Sequence, residues 1–385
     1  MVTELFSSGH TACTGCGQAL GARLVVETTG PNVIIANATG CLEVFTSRYP
    51  ESAWGVPWIH SLFQNAAAVA SGIEAALRIK GKLDQVRVIS QGGDGATADI
   101  GMASLSGMFD RGHDILYVCY DNEAYMNTGV QRSGLTPFDS RTTTSPSGKK
   151  SFGNPRPKKN IPEIANAHNV PYVATASVAF PKDLQKKVKK ALSIRGPKYI
   201  QIFVPCPLGW RHDPGLTYEI AKLVVETGLY PILEYQDGKL ISVKTIEAAK
   251  PVDEYLKLQG RYAHLFTERG KGEIAKIQAI ADSNIKKYGL LKEGKGVQKK
   301  MTEEKPAEEK IFTTAELAKC DGKDGRPAYF AYKGKVYETT GSDRWADGAH
   351  YNMHFAGSDL TDALVEAPHG DEVFERFKII GVLKA

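Results

Sequence analysis

The chain has 385 residues, of which 42% are hydrophobic and 24% charged; this is ample material for a core and more than one domain, and it excludes a wholly disordered protein. A formal net charge of +5 over that length is too small for a general polyanion-binding surface, so no nucleic-acid partner is expected. No run approaches the roughly 18 apolar residues of a membrane helix, and residues 1–10 lack the basic-then-apolar pattern of a signal peptide, so the chain reads as cytoplasmic with no membrane span.

Taken in order, the first element is a tight turn, "TACTGCGQAL", in which Cys13 and Cys16 lead into a helix. The β-branched run "NVIIANA" predicts a strand and is followed by Cys41 in "ATGCLE". "SLFQNAAAVASGIEAALRI" has the length and Ala-rich spacing of a buried helix. Two further strands, "VRVIS" and "ILYVCY", end in Gly-Gly-Asp-Gly and Asp-Asn-Glu. Residues 139–160 hold six basic groups and one acid, and read as a solvated surface loop, a mobile cover over the site, or a docking patch for an acidic protein or a phosphorylated cosubstrate. The strand "YIQIFV" then runs into "VPCPLGW" with Cys206. Strands alternating with helices predict an α/β fold with a doubly wound, mostly parallel sheet, whose ligands bind beyond the carboxyl ends of the strands.

Residues 1–285 form this body. Residues 286–310, with eight Lys, five Glu and one aromatic, form a charged linker that cannot bury enough area to fold alone. Residues 311–385 carry 9 basic and 12 acidic groups, net −3, and begin with an alternating hairpin, "AYFAYKGKVYETTG", with a Lys-Gly turn; they form a small α+β domain.

Asp94 and Asn122 are 28 positions apart, enough for a helix and a strand, so both emerge at one sheet edge. A hard cation bridging a diphosphate takes oxygen ligands, and a carboxylate, an amide oxygen and a backbone carbonyl suit it. Gly93 and Gly95 allow close backbone approach to phosphate, and a following helix N-terminus favours its charge. Gly-Asp-Gly together with "DNEAYMNTG" resembles the thiamine-diphosphate motif. The resemblance implies Mg2+ held by Asp94, Asn122 and the carbonyl of Ala124, with Gly93, Gly95, Ala96, Asn127 and Thr128 at the cofactor.

Zinc and a [4Fe-4S] cluster both accept four cysteines. A zinc ribbon usually shows two Cys-x-x-Cys pairs, whereas Cys41 and Cys206 are isolated and follow different strands, a dispersal that favours a cluster assembled by the fold. The ordered set of Cys pair, "ATGCLEV", "PWIHSLFQNAAAVASG", "GGDG", "DNEAYMNTG", "VPCPLGW" and "YLKLQGRYAHL" resembles the β subunit of pyruvate:ferredoxin oxidoreductase, over about residues 5–270. That resemblance implies Cys13, Cys16, Cys41 and Cys206 as [4Fe-4S] ligands, with Gln18 and Cys41 lining the thiamine site. Cys119 reads as a small core residue and His60 as a satisfied structural histidine. Cys320 has no assignment.

The implied activity is oxidative decarboxylation of a 2-oxo acid, pyruvate foremost, to acyl-coenzyme A, with electrons leaving singly through the cluster to ferredoxin. No residue of this chain is assigned as catalytic. The carboxylate that activates the cofactor, a Glu in this family, is expected on a partner α subunit, so activity requires the hetero-oligomer. Alternatives are a 2-oxoisovalerate-type ferredoxin oxidoreductase subunit, a non-oxidative thiamine-dependent decarboxylase subunit, and a zinc-stabilised, haem-binding interaction protein.

The tail segment "KVYETTGSDRWADGAHYNMHFAGSDLTDALVEAPHGDEVFERFKIIGVL" resembles the cytochrome b5-like haem or steroid binding domains, although the His-Pro-Gly-Gly motif is missing. Haem b between two imidazoles needs histidines on opposite walls of an apolar pocket. His350 and His369 are the expected pair and His354 the alternative.

Overall fold

A computed structural model of the chain describes residues 4–48, 50–292, 310–350, 353–363, 374 and 377–384. The chain divides into two compact units, 1–297 and 298–385.

The larger unit is built on eight strands: β1 (Val33–Asn37), β2 (Trp58–His60), β3 (Arg87–Gly93), β4 (Ile115–Asp121), β5 (Tyr172–Ser177), β6 (Lys198–Phe203), β7 (Leu233–Gln236) and β8 (Lys239–Val243). Their order is β8-β7-β5-β6-β4-β3-β1-β2. The pairings from β5 across to β2 are parallel, and β7 and β8 join antiparallel at the edge. All of β4 is buried: Leu116, Val118 and Tyr120 enter one core and Ile115, Tyr117 and Cys119 the other. Such two-sided burial is why its sequence is a continuous apolar run.

One face is covered by α1 (Gly17–Thr29) and the other by α3 (Ala66–Ile79), with α2 (Cys41–Thr46) between them in the chain. The helix read from the Ala-rich run thus begins at Ala66, five residues later than its apolar spacing alone suggests. Further along, α4 (Asp94–Ala98) and α5 (Met102–Asp110) follow β3, and α6 (Ile161–Ala167) precedes β5. In α7 (Pro181–Ser193), Leu184, Val188 and Ala191 recur on one buried face, the helical period in an otherwise Lys-rich segment. The short α8 (Pro207–Trp210) and α9 (Thr217–Glu226) come after β6, followed by α10 (Val252–Leu256) and α11 (Lys271–Tyr288). The composition-based body ends at 285, whereas α11 continues to Tyr288; Lys287 and Tyr288 each reach Glu163 at 2.6 Å, which draws this stretch of the charged segment onto the body.

The antiparallel edge turns at Asp237 and Gly238, both with positive φ (49° and 80°), a tight hairpin turn of the type that suits twisted strands. In the smaller unit four strands, β9 (Ile311–Thr313), β10 (Tyr329–Tyr332), β11 (Lys335–Glu338) and β14 (Lys378–Lys384), are ordered β9-β14-β11-β10. The other two strands, β12 (Ala349–His350) and β13 (His354–Phe355), pair as a hairpin. Lys333 and Gly334 form the turn read from the sequence, and Phe330 stacks on Trp345 and Tyr337 with ring centroids 5.2 and 5.3 Å apart.

Candidate functional site

The carboxyl ends of β1, β3 and β4 open into one slot of about 30 Å3. Gln18, Cys41, Gly93, Asp94, Gly95, Ala96, Asn122, Ala124, Asn127 and Thr128 all line it. They arrive from four places in the chain, three of them the turns that parallel strands deliver to the same edge and the fourth the start of α1. His60 is not among the lining residues; its Nε2 is 2.8 Å from Thr39 Oγ1 and its ring stacks on Trp58.

Asp94 begins α4, fully buried, with Gly93 extended before it. Burial, then the nearby Asp121 carboxylate, push its pKa well above the ordinary value, against the hydroxyl donated by Ser133. The amide oxygen of Asn122 stands 2.9 Å from both Asp94 Oδ1 and the carbonyl oxygen of Ala124. Three acceptor oxygens facing one another are mutually repulsive unless the amide turns its NH2 inward or a cation sits among them. Carboxylate, amide and carbonyl oxygens are the ligand types of Mg2+, so this donor set fits the cation. Gly93 has open space where a side chain would stand, while at Gly95 a Cβ would collide with the Tyr125 ring. The second glycine therefore makes room for a tyrosine of the following loop, a reason different from the phosphate approach expected of it. Gln18 Oε1 is buried in the slot without a hydrogen-bond partner among the described residues.

The cysteines converge on the same edge. Cys16 precedes α1, Cys41 opens α2 and Cys206 caps α8, its sulfur accepting from Gly209 N at 3.4 Å. The Cys13–Cys16 turn is tied to the Cys206 segment by Gly17 N donating to Pro205 O (3.1 Å) and Thr217 Oγ1 donating to Gly15 O (2.6 Å). Burial pushes Cys41 up to about 12, with further upward pressure from Cys206, Cys16 and Cys13. Burial likewise raises Cys206 to about 11 and raises Cys16. The four sulfurs thus lie within one another's electrostatic reach. Among the described residues no three His, Cys, Asp or Glu side chains are gathered as ligands of a single ion. Cys119 is buried in the core of β4.

Several functional groups escape a reading by motif. Lys158 and Lys159 lie in the basic 139–160 segment, yet both pair with carboxylates of the body, Lys158 half-buried and Lys159 exposed. Lys158 binds Asp121 (2.6 Å) and Glu123 (2.7 Å), and Lys159 binds Asp99 (2.7 Å). Burial opposes the Glu123 charge, but Lys158 and Arg261 outweigh it and hold its pKa below the usual range. Trp210 Nε1 donates to Asn122 O at 2.8 Å. A cavity of about 230 Å3, lined by Lys158, Glu123 and Tyr230, lies apart from the slot and shares none of its lining residues. Lys158 and Lys159 have no sequence signal beyond the density of lysines, whereas Glu123, Trp210 and Arg261 fall inside the motifs "DNEAYMNTG", "VPCPLGW" and "YLKLQGRYAHL", where their pairing is not visible.

In the smaller unit His350 and His354 are directly opposed across the β12–β13 hairpin, rings 6.5 Å apart, and His350 stacks on Trp345 at 5.1 Å. Directly opposed hairpin residues have Cα atoms about 5 Å apart, leaving no space for a porphyrin between them. His369 lies outside the described residues.

A parallel sheet with this acidic and amide edge defines a thiamine-diphosphate-binding subunit, and residues 38–202 match the family model of the thiamine pyrophosphate enzyme C-terminal TPP binding domain. Residues 313–384 match the cytochrome b5-like heme/steroid binding domain. The chain is 59% identical over 285 residues to pyruvate synthase subunit PorB of Methanosarcina barkeri, spanning 74% of this chain and 96% of that one. It is 47% identical over 272 residues to ketoisovalerate oxidoreductase subunit VorB of Pyrococcus abyssi, spanning 69% and 87%. The tail is 56% identical to a solved cytochrome b5 domain protein of Methanococcoides burtonii, at a TM-score of 0.19, covering 20% of this chain and 97% of that one. The chain belongs to the PorB family of thiamine-dependent 2-oxoacid:ferredoxin oxidoreductase subunits, and carries a C-terminal cytochrome b5-like domain. No helix among the described residues is long and apolar enough to cross a membrane.

Proposed function

We propose that this chain is the cofactor-carrying β subunit of a pyruvate:ferredoxin oxidoreductase. Pyruvate, coenzyme A and two oxidised ferredoxins are converted to acetyl-coenzyme A, carbon dioxide, two reduced ferredoxins and a proton. Thiamine diphosphate supplies a carbanion for the keto carbon and a sink for the electrons that decarboxylation leaves behind. Asp94, Asn122 and the Ala124 carbonyl hold its Mg2+, the open backbone at Gly93 admits the diphosphate, and Asn127 and Thr128 flank it. Gln18 and Cys41 would line the cofactor, and the unpartnered oxygen of Gln18 would be available to accept a hydrogen bond from it. Cys13, Cys16, Cys41 and Cys206 hold a [4Fe-4S] cluster, a one-electron acceptor that a non-oxidative decarboxylase has no need of.

The observation that carries this reading is Cys41, which lines the cofactor slot and stands within charge reach of the other three sulfurs. The four cysteines come from three separate segments of the chain, Cys13 with Cys16, Cys41 and Cys206, a dispersal that favours a cluster assembled by the fold over a zinc ribbon. The α subunit completes the cofactor site and supplies its activating carboxylate. A branched 2-oxo acid is the second reading, supported by the likeness to the VorB subunit.

The test is anaerobic purification of the chain with its partner subunits, iron and sulfide analysis, and 2-oxo-acid-dependent dye or ferredoxin reduction. Iron with matching sulfide and pyruvate-dependent reduction are expected. Zinc without sulfide would remove the cluster, and turnover of 2-oxoisovalerate but not pyruvate would install the second reading.

A further inference from the structure

Residues 121–124 belong to two environments. Asn122 and Ala124 line the cofactor slot, whereas Glu123 between them lines the 230 Å3 cavity. This division is achieved by a left-handed backbone at Glu123, φ 67°, a conformation that side-chain-bearing residues adopt only where their surroundings impose it. The imposing groups are on the page. Lys158 Nζ stands 2.6 Å from Asp121 Oδ2 and 2.7 Å from Glu123 Oε1. Arg261 Nη2 stands 2.6 Å from Glu123 Oε2, and its own Nε donates to Gln259 Oε1 at 2.9 Å. The backbone is pinned as well: Thr136 Oγ1 donates to Glu123 O at 2.7 Å, and Trp210, beneath the Arg261 guanidinium at 3.8 Å, donates to Asn122 O.

We infer that Lys158 and Arg261 are positioning residues for the cofactor cation: clamping Glu123 from two sides, they fix the turn that presents the Asn122 side chain and the Ala124 carbonyl to Asp94. The inference rests on the cofactor reading above. Neither cation lines the slot, so each acts through Glu123. Two cations face Asp121 and Glu123, with the buried Asp94 carboxyl beside Asp121, and loss of one cation leaves buried carboxylate charge uncompensated. Without Lys158 the carboxylates of Asp121 and Glu123 repel across Asn122, and the turn loses the constraint that aims its oxygens. Outer groups that orient metal ligands in this way are commonly worth about 10–100-fold in metal affinity.

The experiment uses the full chain in complex with its partner subunits and Mn2+ as a paramagnetic probe of the Mg2+ site, titrated in the presence of thiamine diphosphate and followed by electron paramagnetic resonance. Lys158→Met should weaken Mn2+ binding about 10–100-fold while leaving iron content unchanged, and should also lower the cofactor-free melting temperature, since two buried carboxylates lose their shared cation. Lys158→Arg should restore most of the affinity, the adjoining cavity giving room for the larger guanidinium. Met and Arg variants that bind Mn2+ equally poorly, or a Met variant within about twofold of the wild type, would overturn the inference. Should Lys158→Met fail to fold, Glu123→Gln decides: it should weaken Mn2+ binding at least about tenfold, and unchanged binding would overturn the proposal. A wild-type complex that takes up neither Mn2+ nor thiamine diphosphate would instead overturn the cofactor reading, and this inference with it.

Discussion

Replacement of Trp210 by Phe tests whether the Asn122 backbone is held from behind. Trp210 is fully buried, and its indole N–H donates 2.8 Å to the Asn122 carbonyl, so the variant leaves that carbonyl unpaired where water does not reach. An orphaned buried acceptor costs about 1–3 kcal/mol, while the phenyl ring retains much of the packing against Phe203, whose centroid lies 5.5 Å away. Taking about 2 kcal/mol, and about 2 °C per kcal/mol for a unit of this size, the transition of the larger unit should fall by about 4 °C. Calorimetry of the full chain measures this directly. A melting temperature within about 1 °C of the wild type would refute the reasoning, since the carbonyl would then have found another donor or never have needed one.

Burial and the Glu273 carboxylate raise Asp139 from 3.8 to about 7, so the folded state keeps a proton that the unfolded state has released, and stability drains away as pH climbs from about 4 through 7. Asp139→Asn should therefore raise the urea midpoint at pH 8 and do much less at pH 5; an equal effect at both would discard the pairing. Asn122→Ala should weaken Mg2+-dependent thiamine diphosphate binding at least about tenfold by calorimetric titration, and unchanged affinity would remove Asn122 from the ligand set. If the tail takes up haem, only one of His350 and His354 can be an axial ligand, because the two are opposed on one hairpin. His369→Ala and one of the two single variants should then abolish the Soret band, while a band that survives His369→Ala would reassign the second ligand.

Motif residues were legible because they are contiguous and follow strands whose apolar runs are unmistakable. Asp94 and Asn122 needed only the rule that parallel strands share an edge, and the isolated positions of Cys41 and Cys206 pointed the same way. What stayed hidden depends on long-range pairing. Lys158 lies 35 residues from Glu123 and Arg261 lies 138. Composition makes the 139–160 segment look solvated, yet one of its six cations, Lys158, reaches two buried carboxylates. β5 reads "YVATAS", too poor in large β-branched residues to announce a central strand, and it is recognisable only from its register beside β6. Gly95 illustrates a further limit: its place in the motif is plain, but the Tyr125 ring that demands a glycine there is visible only in three dimensions.

The slot at the carboxyl edge has room for only about 30 Å3, and Val44, Ile59 and Leu62 nearby in the chain remain exposed. On the function proposed above, a coenzyme seated there would keep much of its surface uncovered until the partner subunit closed over it. Loading and assembly would then be two faces of one equilibrium: each would strengthen the other by the same factor, and dilution of the subunits would release coenzyme even where its free concentration is unchanged.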